Sequence, residues 1–278
     1  MTSLAVTGAT GHLGGRVARL VADLRPRLLV RDASRAPDLP GSTVAEASYD
    51  DLGASRAALR GVDVLLMVSA SESHARRQEH RTFIRAAAEA GVGHVVYTSF
   101  AGAAPDATFT LGRDHFDAEQ AIADSGIAHT FLRDNFYLDV LPHFADPEGV
   151  VRGPAGEGRV AAVARDDVAD VAATVLRSPA AHAGVTYELT GPEALTMAEV
   201  AARASAVLGR PLRFEDETVE EAYASRRASY PDAEDWQLDA WVSTYTAIRD
   251  GQVARVTDDV RRVTGQAPRS LEDVLRGR

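Results

Sequence analysis

Three glycines at three-residue spacing, Gly8, Gly11 and Gly14, lie between an apolar run, Leu4-Ala5-Val6, and a segment carrying Val17, Leu20, Val21 and Leu24 at helical intervals. That pattern suits phosphate chemistry. Gly8 permits a tight turn, Gly11 lets backbone N–H groups approach a pyrophosphate, and Gly14 lets the following helix pack close to the strand, with its positive end facing the phosphates. Glycine spacing alone also suits a purely structural turn, and the strand before and helix after are what favour a dinucleotide site. Further on, Arg31 closes a second apolar run, Leu28-Leu29-Val30, with Asp32 next and Arg35 a turn later. An arginine there suits the 2′-phosphate of NADPH, with NADH also admissible; the competing reading is a solvated Arg–Asp pair. A third candidate is His115 with Glu119, four apart on one helix face, where a histidine near neutral pKa could serve as an acid oriented by the glutamate. The same spacing also fits a helix pair with no chemical role.

The elements that would position these residues alternate regularly. Val44-Ala45-Glu46-Ala47 reads as a third strand and is followed by a helix that Asp50 or Asp51 can cap. Val62 to Val68 is apolar enough for a strand buried on both faces, as central parallel strands are. A helix from about His74 to Ala90 leads to the strand His94–Thr98, and one from Asp114 to Ser125 leads to a strand near His129–Leu132. The arginine-rich stretch from Ser73 to Arg81 reads as a solvated helix face. This β-α alternation implies an α/β fold of the Rossmann type, a doubly wound parallel sheet with ligands beyond the carboxyl ends of its strands. From about residue 136 the pattern becomes a smaller C-terminal α/β cap. There Asp166 or Asp167 can cap a helix to Leu176, Val185–Leu189 reads as a strand, and Thr196 with Glu199 has capping-box spacing. Trp236, Leu238, Trp241 and Tyr245 share an apolar helix, suited to core packing or to a lid. The division expected is residues 1–135 as the dinucleotide-binding domain, with about 160–190 packing back on it, and residues 136–278 as the substrate-binding cap.

Composition narrows the chemistry further. With 278 residues and 45% hydrophobic content the chain can bury a full core. The net charge of -10 argues against nucleic acid or an anionic membrane as partner. There is no cysteine, which excludes thiolate metal sites and thiol catalysis, and the eight histidines show no metal spacing. All 30 basic residues are arginines, so no side-chain amine is present. No secretory leader or membrane-spanning run is evident, which makes the cytoplasm the expected location. A homodimer is compatible with the sequence, which carries no oligomerisation signature.

The glycine turn as Thr-Gly-Ala-Thr-Gly-His-Leu-Gly, Leu-Val-Arg-Asp at Leu29–Asp32, Val-Ser-Ala-Ser-Glu at Val68–Glu72 and Tyr-Thr-Ser at Tyr97–Ser99 together resemble the atypical short-chain dehydrogenases/reductases of the NmrA-like group. His115-Phe116-Asp117-Ala118-Glu119 and Leu132-Arg133-Asp134-Asn135-Phe136-Tyr137 are similar to it too. That group contains bacterial NAD(P)H:quinone oxidoreductases of the second type and triphenylmethane reductases. The resemblance implies that Gly8, Thr10, Gly11, His12 and Leu13 hold the diphosphate and Arg31 the 2′-phosphate. It further implies that Ser69, Ala70 and Ser71 pass along the ribose, that Tyr97, Thr98 and Ser99 flank the nicotinamide, and that Asn135, Phe136 and Tyr137 form the adjacent wall. Ser48 stands where the family often has aspartate. Ordinary members of the superfamily use a Tyr-x-x-x-Lys pair, which a chain without lysine cannot form; His115, Glu119 and Tyr137 are the candidates left for proton chemistry. The function expected is an NADPH-dependent oxidoreductase acting on a quinone or similar planar acceptor. The rival is a dinucleotide-sensing regulator without turnover.

Overall fold

The computed structural model describes residues 2–277. The strands are β1 (Leu4–Thr7), β2 (Arg27–Val30), β3 (Thr43–Glu46), β4 (Val64–Met67), β5 (His94–Phe100), β6 (Ala128–Asp134), β7 (Val150–Gly153), β8 (Arg159–Val160), β9 (Val185–Leu189), β10 (Leu195–Thr196) and β11 (Arg213–Asp216). The helices are α1 (His12–Leu20), α2 (Leu52–Leu59), α3 (Arg76–Ala90), α4 (Thr110–Asp124), α5 (Arg165–Arg177), α6 (Met197–Leu208), α7 (Val219–Ser229), α8 (Asp235–Arg249), α9 (Asp259–Thr264) and α10 (Leu271–Leu275). Seven strands form one sheet in the order β3-β2-β1-β4-β5-β6-β9, and the pairs from β3 through β5 run parallel. The order reverses between β1 and β4, the topological switch at which such sheets bind ligands.

The chain divides into two compact units: Met1–Phe100, Asp114–Arg133 and Val168–Tyr187 in the first, Ala101–Arg113, Asp134–Asp167 and Glu188–Arg278 in the second. Against the expected division, 101–113 and 134–135 fall in the second unit, and of the segment at about 160–190 the part 168–187 falls in the first. Main-chain bonds explain the placing of 101–113: Ala101 N–H donates to the Asp134 carbonyl (2.7 Å), Thr108 N–H to the Gln252 side chain (3.1 Å) and Thr110 N–H to Ser243 Oγ (3.1 Å).

In the first unit β1 and β4 are buried along their whole length, as apolar runs in a parallel sheet between helix layers must be. Ala5, Leu29, Leu65, Met67, Val95 and Tyr97 pack against Leu59 of α2, Phe83 and Ile84 of α3 and Ile122 of α4. Truncating one such leucine to alanine costs about 2–5 kcal/mol. Of the two aspartates that could cap α2, Asp51 does so, accepting from Ala54 N–H at 2.9 Å. The second unit pairs β7 with β11 in parallel and β8 with β10 antiparallel. The capping box at the start of α6 forms as expected, with Thr196 Oγ1 accepting from Glu199 N–H (3.1 Å) and the Glu199 carboxylate accepting from Thr196 N–H (2.8 Å). Asp166 and Asp167 lie inside the first turn of α5 rather than capping it. Asp167 accepts instead from the main chain of Arg269 (2.8 Å) and from its guanidinium. In α8 Leu238 and Tyr245 are buried while Trp236 and Trp241 are half-buried, and the Tyr245 ring lies so near β7 that a Cβ on Gly153 would fall 2.4 Å from it.

Candidate active site

The turn from β1 into α1 is built by its glycines in three different ways. Gly8 has φ +65°, a left-handed conformation that favours glycine. At Gly14 the constraint is space, since a Cβ there would lie 2.4 Å from the Gly8 carbonyl oxygen and 2.6 Å from that of Thr7. Gly11 has ordinary extended backbone, φ −92°, and a Cβ on it would meet nothing in the protein nearer than the Gly8 oxygen at 3.3 Å. The fold needs Gly8 and Gly14; at Gly11 a side chain would chiefly fill the open cradle above the helix. That helix starts without a side-chain cap and with no acidic residue in its first turn, whereas α6, α7 and α10 all begin with capping boxes. Gly8, Thr10, Gly11 and His12 are exposed, and Leu13 is buried, so that Leu13 offers a ligand its main chain only. An uncapped helix start behind a close glycine turn is an anion site.

Arg31 follows β2, the strand hydrogen-bonded to β1, and is exposed with no ion-pair partner among the described residues. Asp32 does not pair with it. Its carboxylate accepts from Ser34 N–H (2.9 Å) and Ser34 Oγ (2.6 Å), hydrogen bonds that hold it below the usual carboxylate range. The Arg31 guanidinium is therefore available to an incoming phosphate. Ser48, where the family pattern often has aspartate, donates to the Asp50 carboxylate.

The turn after β4 is fixed from beneath. Ser69 N–H donates to Thr98 Oγ1 (2.8 Å) and Ala70 N–H to His80 Nε2 (2.9 Å), while the Ala70 carbonyl accepts from Arg76 Nε (3.0 Å). The two amides are thus engaged by the protein, while Ser69 is half-buried and Ser71 exposed. Thr98 and Ser99 are fully buried, and Ser99 Oγ donates to Glu119 Oε1 at 2.6 Å. Both side chains are engaged by the protein, Thr98 Oγ1 with Ser69 N–H and Ser99 Oγ with Glu119. Tyr97 is buried as well.

His115 and Glu119 share a face of α4 as their spacing implies, but no hydrogen bond joins them. Glu119, 3% exposed, takes both Nε (2.8 Å) and Nη2 (2.7 Å) of Arg133 in addition to Ser99. His115, 6% exposed, accepts from Arg76 Nη2 through Nε2 (3.0 Å), since a guanidinium can only donate. Its proton is thereby assigned to Nδ1, which donates to the Tyr97 oxygen at 3.1 Å. Burial, and then the Arg76 charge, push the imidazole well below its ordinary pKa. The expected hydrogen bond between acid and orienter is thus absent, and each residue is bonded to other partners.

In the second unit Asn135 is buried: its Nδ2 donates to the Val253 carbonyl (2.9 Å) and its Oδ1 accepts from Phe136 N–H (2.7 Å). It braces the chain and presents no open amide surface. Phe136 is half-buried, edge-to-face with Phe109 at 5.2 Å. Tyr137 donates to the Asp134 carboxylate; burial and that carboxylate raise its phenol well above the ordinary value, making it a poor acid.

Two residues escaped the sequence reading: Arg76 and His80, taken there as part of a solvated face. Both are buried, while Arg77 and Arg81 of the same run are exposed and paired with Asp114 and Asp117. The signal was present, because positions 76, 80, 83, 84 and 87 continue one helical stripe through Phe83, Ile84 and Ala87.

Residues 1–252 match the model of the NmrA-like family. The chain belongs to that family. Among relatives of this NmrA-like protein, a (4-alkanoyl-5-oxo-2,5-dihydrofuran-3-yl)methyl phosphate reductase of Streptomyces griseus is 37% identical over 274 residues, covering 96% of this chain and 95% of the relative. An NAD(P)H azoreductase of Xenophilus azovorans is 36% identical over 277 residues, with 96% and 95% covered. The crystal structure of an NADPH-dependent quinone oxidoreductase of Escherichia coli complexed with NADPH matches with a TM-score of 0.88 at 31% identity, covering 99% of both chains.

Proposed function

We propose that this NmrA-like chain is an NADPH-dependent oxidoreductase that delivers hydride to a quinone or a similar planar electrophilic acceptor. One observation carries the reading: the uncapped start of α1 behind the Gly8–Gly14 turn stands beside β2, which is followed by Arg31, an arginine with no ion-pair partner among the described residues. Those two features match a diphosphate and a 2′-phosphate. In this assignment the main chain of Gly8, Thr10, Gly11, His12 and Leu13 holds the diphosphate and the Arg31 guanidinium holds the 2′-phosphate. Ser69, Ala70 and Ser71 line the path of the second ribose. NADH fits the same diphosphate cradle without using Arg31. The named relatives are two reductases and a quinone oxidoreductase, which favours turnover over a dinucleotide-sensing regulator.

When bound, the reduced dinucleotide supplies the hydride. A quinone that receives it gains two electrons and one hydrogen and needs one further proton to become the hydroquinone. No Tyr-x-x-x-Lys pair can exist in a chain without lysine, His115 is neutral and enclosed, and Tyr137 holds its proton tightly. We therefore assign that proton to water, and assign to the chain's own residues the work of orientation and of excluding solvent. Acceptor selection is assigned to the second unit, which carries Phe109, Phe136 and Tyr137.

The test is acceptor-dependent NADPH oxidation across a panel of quinones, azo dyes and enones. Saturable oxidation with at least one planar acceptor is expected. Tight NADPH binding with no turnover by any acceptor would move the protein to the regulator class, and no binding of either pyridine nucleotide would remove the reading altogether.

A further inference from the structure

We propose that Arg76 and His80 are positioning residues that set the main chain of Ser69–Ser71 for the nicotinamide half of the dinucleotide. The inference rests on the NADPH reading above and goes beyond it. In the sheet order β3-β2-β1-β4, the turn after β4 and Arg31 after β2 lie on opposite sides of the glycine turn. With the diphosphate at the glycine turn and the adenosine 2′-phosphate at Arg31, the other nucleoside runs toward β4.

Two polar side chains are buried at unusual cost to serve that turn. Arg76 is 4% exposed, and its one carboxylate partner among the described residues, Asp114, is 3.5 Å away and also binds the exposed Arg77 at 2.5 Å. Its remaining bonds go to neutral acceptors, the Ala70 carbonyl and His115 Nε2. His80 is fully buried, accepts from Ala70 N–H through Nε2, and its Nδ1 has no hydrogen-bond partner among the described residues. Apolar side chains of similar volume would pack this stripe of α3 without the desolvation penalty of a guanidinium or an orphaned N–H. What apolar residues could not do is fix both the amide and the carbonyl of Ala70, and that is where the two groups converge. Thr98 adds the third restraint, at Ser69 N–H.

Calorimetric titration of the full-length chain with two ligands tests this: NADPH, and adenosine 2′,5′-bisphosphate, which lacks the nicotinamide nucleoside. Arg76→Met and His80→Leu are expected to weaken NADPH by about tenfold or more, while the bisphosphate stays within about twofold, a tenfold change being about 1.4 kcal/mol. His80→Gln, whose amide oxygen can accept from Ala70 N–H, should recover NADPH affinity to within roughly threefold of the parent. Equal losses for both ligands, unchanged NADPH affinity in the Arg76→Met and His80→Leu variants, or His80→Gln as weak as His80→Leu would each overturn the proposal. Should Arg76→Met fail to fold, the two His80 variants decide it alone. A parent protein that binds neither ligand would sink the NADPH reading itself, an outcome distinct from a parent that binds both while the variants fail to discriminate.

Discussion

The glycine turn after β1 and the polar cluster among α3, α4 and β5 lie in the same unit and treat their polar groups in opposite ways. Around the turn little is satisfied: α1 lacks a side-chain cap, Arg31 has no carboxylate partner among the described residues, and Gly11 keeps a cradle open. In the cluster nearly everything is satisfied. Glu119 answers Arg133 and Ser99, His115 answers Arg76 and Tyr97, and both amides after β4 are occupied. Residues with the richer chemical repertoire are thus committed to one another, while the plainest ones are left open. In a site that works by holding a cofactor, unmet hydrogen-bonding capacity is a better guide than the presence of titratable side chains.

The sharpest way to break that contrast is at Gly14. Gly14→Val should lower stability by about 3 kcal/mol or more, because its Cβ meets backbone that cannot rotate away. Gly11→Ala should cost well under 1 kcal/mol of stability yet weaken NADPH binding; thermal unfolding beside a titration checks both. If Gly11→Ala destabilised as much as Gly14→Val, the cradle would be structural. Next in size, Glu119→Gln should cost about 3 kcal/mol in denaturant unfolding, since it leaves the Arg133 guanidinium facing a neutral amide in a buried setting. The turnover per folded molecule should stay within about twofold, and a much larger fall would restore a catalytic role to Glu119.

The sheet and its order of elements were legible because apolar runs alternating with helical stripes leave few options, and the turn was legible because Gly8 and Gly14 answer hard steric demands. The cluster was not. Spacing put His115 and Glu119 on one face, but whether they meet depends on Arg76 and Arg133, which arrive from α3 and β6 and outcompete a neighbour on the same helix. The exposed charge of Arg77 and Arg81 likewise masked the buried Arg76 and His80 beside them. Thr98, Ser99 and Asn135 carry ligand-type side chains that the fold turns inward, and no one-dimensional pattern records that turn. The boundary at 101–113 depended on bonds to Gln252 and Ser243, far off in sequence.

Smaller effects sharpen the comparison further. Arg31→Ala should weaken NADPH by roughly ten- to a hundredfold, the range of a charge-assisted hydrogen bond, and NADH by less than about threefold. Equal losses for the two cofactors would cancel the 2′-phosphate assignment. The enclosed histidines predict acid sensitivity. Burial, and then the Arg76 charge, depress His80 to about 3, against an ordinary value of 6.5 for the unfolded chain. Between those values the unfolded state binds the extra proton, so stability is complete above about pH 6.5 and falls as pH drops, by about 1.4 kcal/mol at pH 5.5 from this group. Unfolding midpoints measured from pH 7.5 to 5 should show the decline, and His80→Gln should make it shallower by the share of that one group. Smallest of all, His115→Asn should leave the pH dependence of the rate unchanged. A displaced acid limb in kcat/KM would return His115 to proton transfer.

A helix that begins without a cap has a further consequence for the lifetime of the chain. An anion docked at its open N–H groups would add bonds that the folded chain alone lacks, so occupancy should raise the melting temperature in step with coenzyme concentration and slow amide exchange there first. Persistence of the folded chain would then follow the supply of pyridine nucleotide, whichever its oxidation state.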